Sequence, residues 1–235
     1  MTATAKRPFP LLRPASMTDA EAIRDNDWSS FQHLTSVHDH WSLRPWAPGR
    51  TGYYWYLTFT EPALVDLVAQ CQEKLAHDGL DPVPLDGLHL TLLDIGRTEE
   101  IGAEQLAHII DAGRRAAAEI KPFQITVGPL TGAPSAVRFS VTPWDRLLDL
   151  HRRVRYATTE NRPASRLAET ADLRPHLGIG YINRSQHAQQ LISDISTLRT
   201  LPSATAQVDK LHLVELRRVD RTYRWTDRAV IPLAN

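Results

Sequence analysis

From residue 53 onwards, hydrophobic positions group into stretches typical of strands and stretches typical of helices. Tyr53–Phe59 is aromatic and is predicted to be a strand. Pro62 is predicted to open a helix and Gly79 to close it, because proline fits the first helical turn and glycine the end. A strand, a helix and a strand are expected next, over Leu88–Ile95, residues 101–119 and Pro122–Leu130.

The same order of elements begins again near residue 137. YLTFTEP at 56–62 is echoed by RFSVTP at 138–143, and a helix is predicted after each. The later elements are a strand Val137–Val141, a helix opened by Pro143, a polar loop at 158–173, a strand Pro175–Ile182, a helix at about 186–198, and strands Ala206–Arg217 and Tyr223–Leu233.

This repeat predicts an α+β fold of two intertwined lobes over residues 51–235, with halves at about 53–130 and 136–233. Two antiparallel sheets are expected to face a central cleft, with helices outside. Residues 1–50 show no sustained period and are predicted to be an irregular extension with a short helix near Asp19–Asn26.

Two of the predicted strands each carry one histidine within an apolar run. His89 lies in Gly-Leu-His-Leu-Thr-Leu and His176 in Arg-Pro-His-Leu-Gly-Ile, at corresponding points of the repeat. Either one alone is more typical of a core histidine bonded to backbone. A duplicated fold that brings both to one cleft offers a general base and a general acid, which suffice to cleave a phosphodiester.

These segments resemble the paired His-x-Thr/Ser motifs of the two-histidine (2H) phosphoesterase superfamily, also described as 2′–5′ RNA ligase-like. His89-Leu90-Thr91 fits the motif fully, whereas His176-Leu177-Gly178 has Gly178 where a hydroxyl residue is expected. The resemblance extends from about residue 52 to the end. It implies a metal-independent phosphodiesterase with catalytic His89 and His176, acting on a 2′,3′-cyclic phosphate, a 2′–5′ linkage or another small nucleotide diester. No cofactor and no metal are implied, and the sequence leaves open which histidine is the base.

Residues alternate across a strand, so Thr91 shares a face with His89 and Gly178 with His176. Thr91 is expected to donate to a phosphate oxygen. Gly178 leaves room for closer approach or a larger substrate, but the missing donor costs about 1–3 kcal/mol. Either Arg174 or Arg138 is expected to compensate.

Aromatic residues are candidates for binding a base, since stacking tolerates any base. No more than two residues of the run Tyr53–Tyr56 should face the site, and Tyr56 is the candidate among them. Arg138 occupies the position in the second half that Tyr56 holds in the first half. Tyr181 is expected to close over the site.

Two other functions stay open. Gly178 is compatible with a catalytically weakened protein that binds nucleotide or RNA on the same scaffold. Two opposed histidines also suit acid–base chemistry on a substrate that is not a nucleotide.

The composition of the chain limits the kinds of partner, cross-link and metal site that are expected. The formal net charge of the 235 residues is zero, so no basic field favours long nucleic acid, and a small nucleotide or an RNA end is the expected partner. The single Cys71 excludes an internal disulfide. His33, His38 and His40 lie near Asp39, but nothing fixes a metal-binding geometry. No membrane span or secretory signal is visible, so a cytoplasmic location is expected; the oligomeric state stays open.

Overall fold

The structure is a computed structural model that describes residues 8–76, 79–167 and 172–234. Within these ranges six α-helices are present: α1 Ala20–Gln32, α2 His40–Leu43, α3 Pro62–Lys74, α4 Ala103–Ala117, α5 Asp145–Thr159 and α6 Gln189–Leu198. The strands of the same ranges are β1 Ser36–Val37, β2 Thr51–Thr58, β3 Leu80–Pro82, β4 His89–Arg97, β5 Phe123–Ala133, β6 Ala136–Thr142, β7 His176–Ile182, β8 Gln186–His187, β9 Ala204–Val208, β10 Lys210–Val219 and β11 Thr222–Pro232.

Two sheets form the framework of the fold. The first sheet has the order β11-β10-β2-β4 and the second sheet the order β3-β7-β6-β5-β9, while β1 and β8 form a separate pair. All of these pairings are antiparallel. The predicted α+β fold with two antiparallel sheets is confirmed.

The two halves of the chain exchange strands. β5 lies in the second sheet although it belongs to the first half, and β10 and β11 of the second half lie in the first sheet. The prediction of one strand over Ala206–Arg217 is therefore wrong. The chain changes sheets at Asp209, where two consecutive exposed residues reverse the alternation of buried positions.

Three helix boundaries also differ from the sequence prediction. α5 begins at Asp145 rather than at Pro143, because Trp144 still precedes the helix as its N-cap residue. α6 begins at Gln189, since the two residues before Ala188 form β8 and pair with β1. α3 already ends at Lys74, well before Gly79.

β2 is buried on both faces, which explains its unusual aromatic content. Tyr53, Trp55 and Leu57 belong to the main core, whereas Tyr54 and Tyr56 belong to a separate cluster on the opposite face. Alternation thus sends two of the four aromatic residues to that opposite face, as the sequence predicted.

The N-terminal extension is more ordered than the sequence analysis expected. α1 runs from Ala20 to Gln32, and the Asp19 side chain accepts a hydrogen bond from the backbone N–H of Glu21 at its start. The Phe31 ring is fully buried and packs so closely on β5 that Gly132 has no room for a Cβ. The extension is therefore built into the second lobe. Across the described ranges, no helix is both long and apolar enough to cross a membrane.

Candidate active site

His89 and His176 occupy equivalent positions in the two sheets. His89 begins β4 and pairs with Thr58 of β2, and His176 begins β7 and pairs with Ser140 of β6. In each ring Nδ1 donates to the carbonyl oxygen two residues earlier, over 2.8 Å to Gly87 and 2.7 Å to Arg174. A carbonyl oxygen only accepts, so Nδ1 carries the proton and Nε2 of each neutral ring keeps its lone pair.

The two imidazoles lie within electrostatic reach of each other. A positive charge on His89 lowers the pKa of His176, and the strands β4 and β7 that carry them are in contact. A negative charge on Tyr181 of the second sheet would raise the pKa of Tyr56 in the first sheet, so these two phenols are also near each other. The duplicated fold thus brings both predicted histidines to one cleft.

Aromatic rings hold His89 in place. The Tyr56 ring stacks on the imidazole at 4.3 Å and 12°, and the Trp225 ring of β11 meets it edge-on at 5.2 Å. Tyr56 also pairs with Thr91 across the strands and hydrogen-bonds its hydroxyl. Only 3% of Tyr56 is exposed, so it has almost no surface left for a substrate base. The expectation that Tyr56 stacks on a base is corrected, because its ring stacks on His89 instead.

The second lobe repeats this register with different side chains. Arg138 pairs with Gly178 across β6 and β7, just as Tyr56 pairs with Thr91 across β2 and β4. A Cβ placed on Gly178 would meet no atom within 4 Å, so open space lies where the threonine hydroxyl would be. The equivalence of Arg138 and Tyr56 predicted from the repeat is present in the strand pairing.

Arg138 is a buried cation with incomplete pairing. It is 3% exposed, its Nη2 donates to the carbonyl oxygen of Phe9 over 3.1 Å, and the same atom lies 3.6 Å from Oδ1 of Asp27. Its Nε has no hydrogen-bond partner among the described residues. The second oxygen of Asp27 accepts from Ser140 over 2.7 Å. Arg138 therefore keeps a positive field beside Gly178 and His176.

Both histidines are easier to keep neutral than a histidine in water. Burial of the imidazole, the larger cause, and the charge of Arg138, the second, lower the pKa of His176 to about 3. Part of the residue nevertheless faces the open cleft. Burial among the aromatic rings lowers the pKa of His89 as well. Both rings are thus neutral at pH 7 in the free protein.

Residues 60–220 match the family model of the 2′-5′ RNA ligase superfamily. The chain belongs to this superfamily. The resemblance stated from the two histidine segments is therefore confirmed. No sequence among the curated proteins matches the chain.

Solved structures with the same fold include TT0787 of Thermus thermophilus, with 20% identity, a TM-score of 0.58, and coverage of 78% of this chain and 97% of that one. E. coli LigT in apo form shares 15% identity and a TM-score of 0.59, covering 79% of this chain and 99% of LigT. LigT complexed with 3′-AMP is similar with 15% identity, a TM-score of 0.57 and the same coverage.

Arg174 does not take the place predicted for it in this member of the 2′-5′ RNA ligase superfamily. It is 5% exposed, and its guanidinium donates to the carbonyl oxygens of Pro10 and Leu11 and to the carboxylate of Asp172. The expectation that Arg174 compensates for Gly178 is wrong, because the extension occupies its hydrogen-bonding groups.

Tyr181 lies at one end of the cleft, among other aromatic rings. Its ring centroid is 4.3 Å from that of His40, 5.2 Å from Trp41 and 5.4 Å from Tyr223. This cluster joins the extension, β7 and β11, and burial raises the pKa of Tyr181. Tyr181 therefore forms an end wall of the cleft, and its closing over a bound substrate stays a prediction.

Sequence reasoning missed the contributions of Trp225, Tyr223 and Arg44. The first two lie two residues apart on β11, a spacing that signals one shared strand face, but nothing in the sequence shows that β11 joins the first sheet. Arg44 lies in the extension, outside the matched residues.

The other extension histidines serve local contacts. Nδ1 of His33 donates to the carbonyl oxygen of Ser29, and Nε2 of His40 lies 3.1 Å from the hydroxyl of Tyr223. His38 lies 3.5 Å from the hydroxyl of Ser36. The described part of the chain holds no group of three or more His, Cys, Asp or Glu side chains arranged for a metal ion.

Proposed function

We propose that the protein is a phosphodiesterase that cleaves a 2′,3′-cyclic phosphate, a 2′–5′ linkage or another small diester of a nucleotide or RNA end. The observation that carries this proposal is the matched pair of backbone-anchored imidazoles, His89 and His176, at equivalent strand positions beside one cleft. Membership of the 2′-5′ RNA ligase superfamily supports it, as does the fold shared with LigT, which has been solved with 3′-AMP.

The two histidines differ in their neighbours, and this difference supports different roles for them. Arg138 disfavours a charge on His176, so a neutral His176 acts as the general base. The rings of Tyr56 and Trp225 surround His89 and add no positive charge, so the phosphate charge raises the pKa of His89 and leaves it protonated as the general acid.

With a 2′,3′-cyclic phosphate as substrate, water is the nucleophile. Nε2 of His176 takes a proton from water as the water oxygen bonds to phosphorus, and the bond from phosphorus to one ribose oxygen breaks. Nε2 of His89 gives its proton to that ribose oxygen, which leaves a phosphomonoester. Thr91 donates to a non-bridging oxygen, and the field of Arg138 stabilises the added charge. Solvent exchange restores both rings.

Hydrolysis of 2′,3′-cyclic nucleotides and 2′–5′-linked dinucleotides in the presence of EDTA tests the proposal. His89→Ala and His176→Ala should each lower kcat by about 10²- to 10⁴-fold, the usual contribution of a positioned acid or base. His108→Ala, which removes an exposed imidazole on α4, should retain the wild-type rate. Unchanged rates in both site variants would refute a paired-histidine mechanism.

The acid and base assignment has its own test. A nucleoside phosphodiester with p-nitrophenol as leaving group needs no general acid, because p-nitrophenolate departs without a proton. Such a substrate should restore much of the activity of His89→Ala but not that of His176→Ala. Rescue of His176→Ala alone would reverse the two roles.

A protein that binds nucleotide without turnover is the second candidate, and the open space at Gly178 favours it. In that case 3′-AMP and 2′,3′-cyclic AMP would bind in a manner that requires His89 and His176, yet the cyclic compound would be recovered intact. Turnover of any diester in the panel would exclude this alternative.

A further inference from the structure

The short helix α2 of the extension spans the end of the cleft between the two sheets. In His40, Nε2 lies 3.1 Å from the hydroxyl of Tyr223 on β11, and Nδ1 lies 3.4 Å from the hydroxyl of Ser135 between β5 and β6. The same ring packs on Tyr181 of β7. Residues outside the segment matched by the family therefore form one boundary of the candidate site.

Arg44 follows α2, and its backbone is held on both sides. Its N–H donates to the carbonyl oxygen of His40 over 2.9 Å, and its own carbonyl oxygen accepts from Arg218 over 3.0 Å. The Arg218 guanidinium in turn lies over the Trp41 ring. These contacts fix the point from which the Arg44 side chain extends.

The Arg44 guanidinium has no hydrogen bond or ion pair within the described ranges, although its charge acts on two groups of the cleft. It lowers the pKa of His176, and it also acts to lower that of Tyr223, whose net shift is upward through burial. A half-buried arginine that follows α2 at the end of the cleft, with no carboxylate partner among the described residues, is available for an anion that enters there.

Further arginines make this end of the cleft positive. The charges of Arg44, Arg50 and Arg218 each act to lower the pKa of the Tyr223 hydroxyl. The charges of Arg44 and Arg138 do the same for His176. The whole chain has a formal net charge of zero, and Asp81 contacts Trp41 and Arg221 on the same aromatic cluster, so the excess of positive charge is confined to the surroundings of Tyr223 and His176. A phosphate offers oxygens that match the planar fork of an arginine, so it is the anion that this arrangement fits.

We infer that Arg44 binds the phosphate held between the two histidines and replaces the hydroxyl donor that Gly178 lacks. In this arrangement the extension is part of the substrate site and not a separate appendage. The inference rests on the proposed function only in taking the bound anion to be a phosphate.

Calorimetric titration of the full chain with 3′-AMP and with inorganic phosphate tests this assignment without requiring turnover. Arg44→Ala should weaken the binding of both ligands by about 10- to 100-fold, as expected for losing a charge-assisted contact. Arg44→Lys, which keeps the charge but not the fork, should recover part of the loss. The control Arg114→Ala removes an exposed arginine paired with Asp111 on α4 and should bind as the wild type does.

A second measurement separates a direct role from a structural one. The pKa of His176, followed by NMR, should rise in Arg44→Ala and stay unchanged in Arg114→Ala, while the thermal midpoint of both stays near that of the wild type. Wild-type affinity for both ligands in Arg44→Ala would overturn the inference. Because only binding is measured, a wild-type protein that fails to hydrolyse any diester would refute the proposed function and leave this test valid.

Discussion

Replacing Gly178 by threonine converts the second histidine segment to the His-x-Thr pattern of the first, and we expect the variant to be more active. Gly178 has none of the positive φ angles found at Gly49, Gly96 and Gly128, so a β-branched residue suits its backbone. A Cβ there meets no atom within 4 Å. The new hydroxyl would share the strand face of His176, as Thr91 shares that of His89.

Two separate effects set the size of the change. A hydrogen bond to a charged group contributes about 1.5–3 kcal/mol. The cleft is open to solvent, so the lower end applies and kcat/KM should rise roughly tenfold. Replacing a strand glycine also removes a backbone entropy cost of about 0.5–1 kcal/mol. In a chain of this size that change raises Tm by about 1–4 °C.

Gly178→Val is the matched control, because valine has the shape of threonine without the hydroxyl. Both variants should melt at a similarly higher temperature than the wild type, and only Gly178→Thr should gain kcat/KM on a 2′,3′-cyclic nucleotide. Equal rates for the two variants would show that the hydroxyl does not contact the phosphate. A loss of rate in both would show that the substrate occupies the space beside Gly178 and that this space is required.

Three further predictions concern the electrostatics and packing of the cleft. Binding of 3′-AMP near pH 7 should take up protons, because the lowered pKa values of His89 and His176 leave both rings neutral until a bound anion raises the pKa of one ring. Titrations in buffers of different ionisation enthalpy would detect this uptake, and its absence would contradict the lowered pKa values. Tyr56→Leu should reduce kcat by about tenfold, because a misplaced catalytic group lowers the rate even when the group itself is retained. Tyr56→Phe keeps the ring on His89 and should lower kcat less. An unchanged kcat in Tyr56→Leu would exclude the positioning role of Tyr56. Burial lowers the pKa of His151 to about 4, so on acidification the imidazole takes up a proton in the unfolded chain before it does so in the folded protein. The free energy of unfolding should therefore fall as the pH drops from about 6.5 toward 4. Urea titrations should show a shallower fall in His151→Leu, and an identical pH dependence would refute the contribution of His151.

Sequence patterns were sufficient for the parts of the fold that depend on local periodicity. The aromatic run of β2, the proline that opens α3 and the apolar strands around His89 and His176 each have a local signal in the chain. The repeat also indicated that Arg138 and Tyr56 are equivalent, and the strand pairing reproduces that equivalence.

The parts that sequence reasoning missed depend on contacts between distant segments. β9 and β10 resemble one strand because both alternate apolar and polar residues. Apart from the two consecutive polar residues Asp209 and Lys210, only their pairing with different strands separates them. Arg174 looked available beside His176 because nothing in its local sequence shows that Pro10 and Leu11 accept its hydrogen bonds. The extension lacks a sustained period, so the roles of α1 and α2 could not be derived from alternation.

The asymmetry between the two lobes has a common origin in that extension. In the first lobe the pair Tyr56 and Thr91 supplies an aromatic ring and a hydroxyl, and in the second lobe the pair Arg138 and Gly178 supplies a cation and open space. Arg138 keeps its field because α1 and the segment around Phe9 cover it and exclude water, while Asp27 offsets the charge from 3.6 Å only in part. A positive field beside His176 favours the neutral ring and attracts an anion, so it offsets part of what the missing hydroxyl would contribute. The extension therefore accounts both for the buried cation at the register position where the first lobe has Tyr56 and for the neutral state of His176.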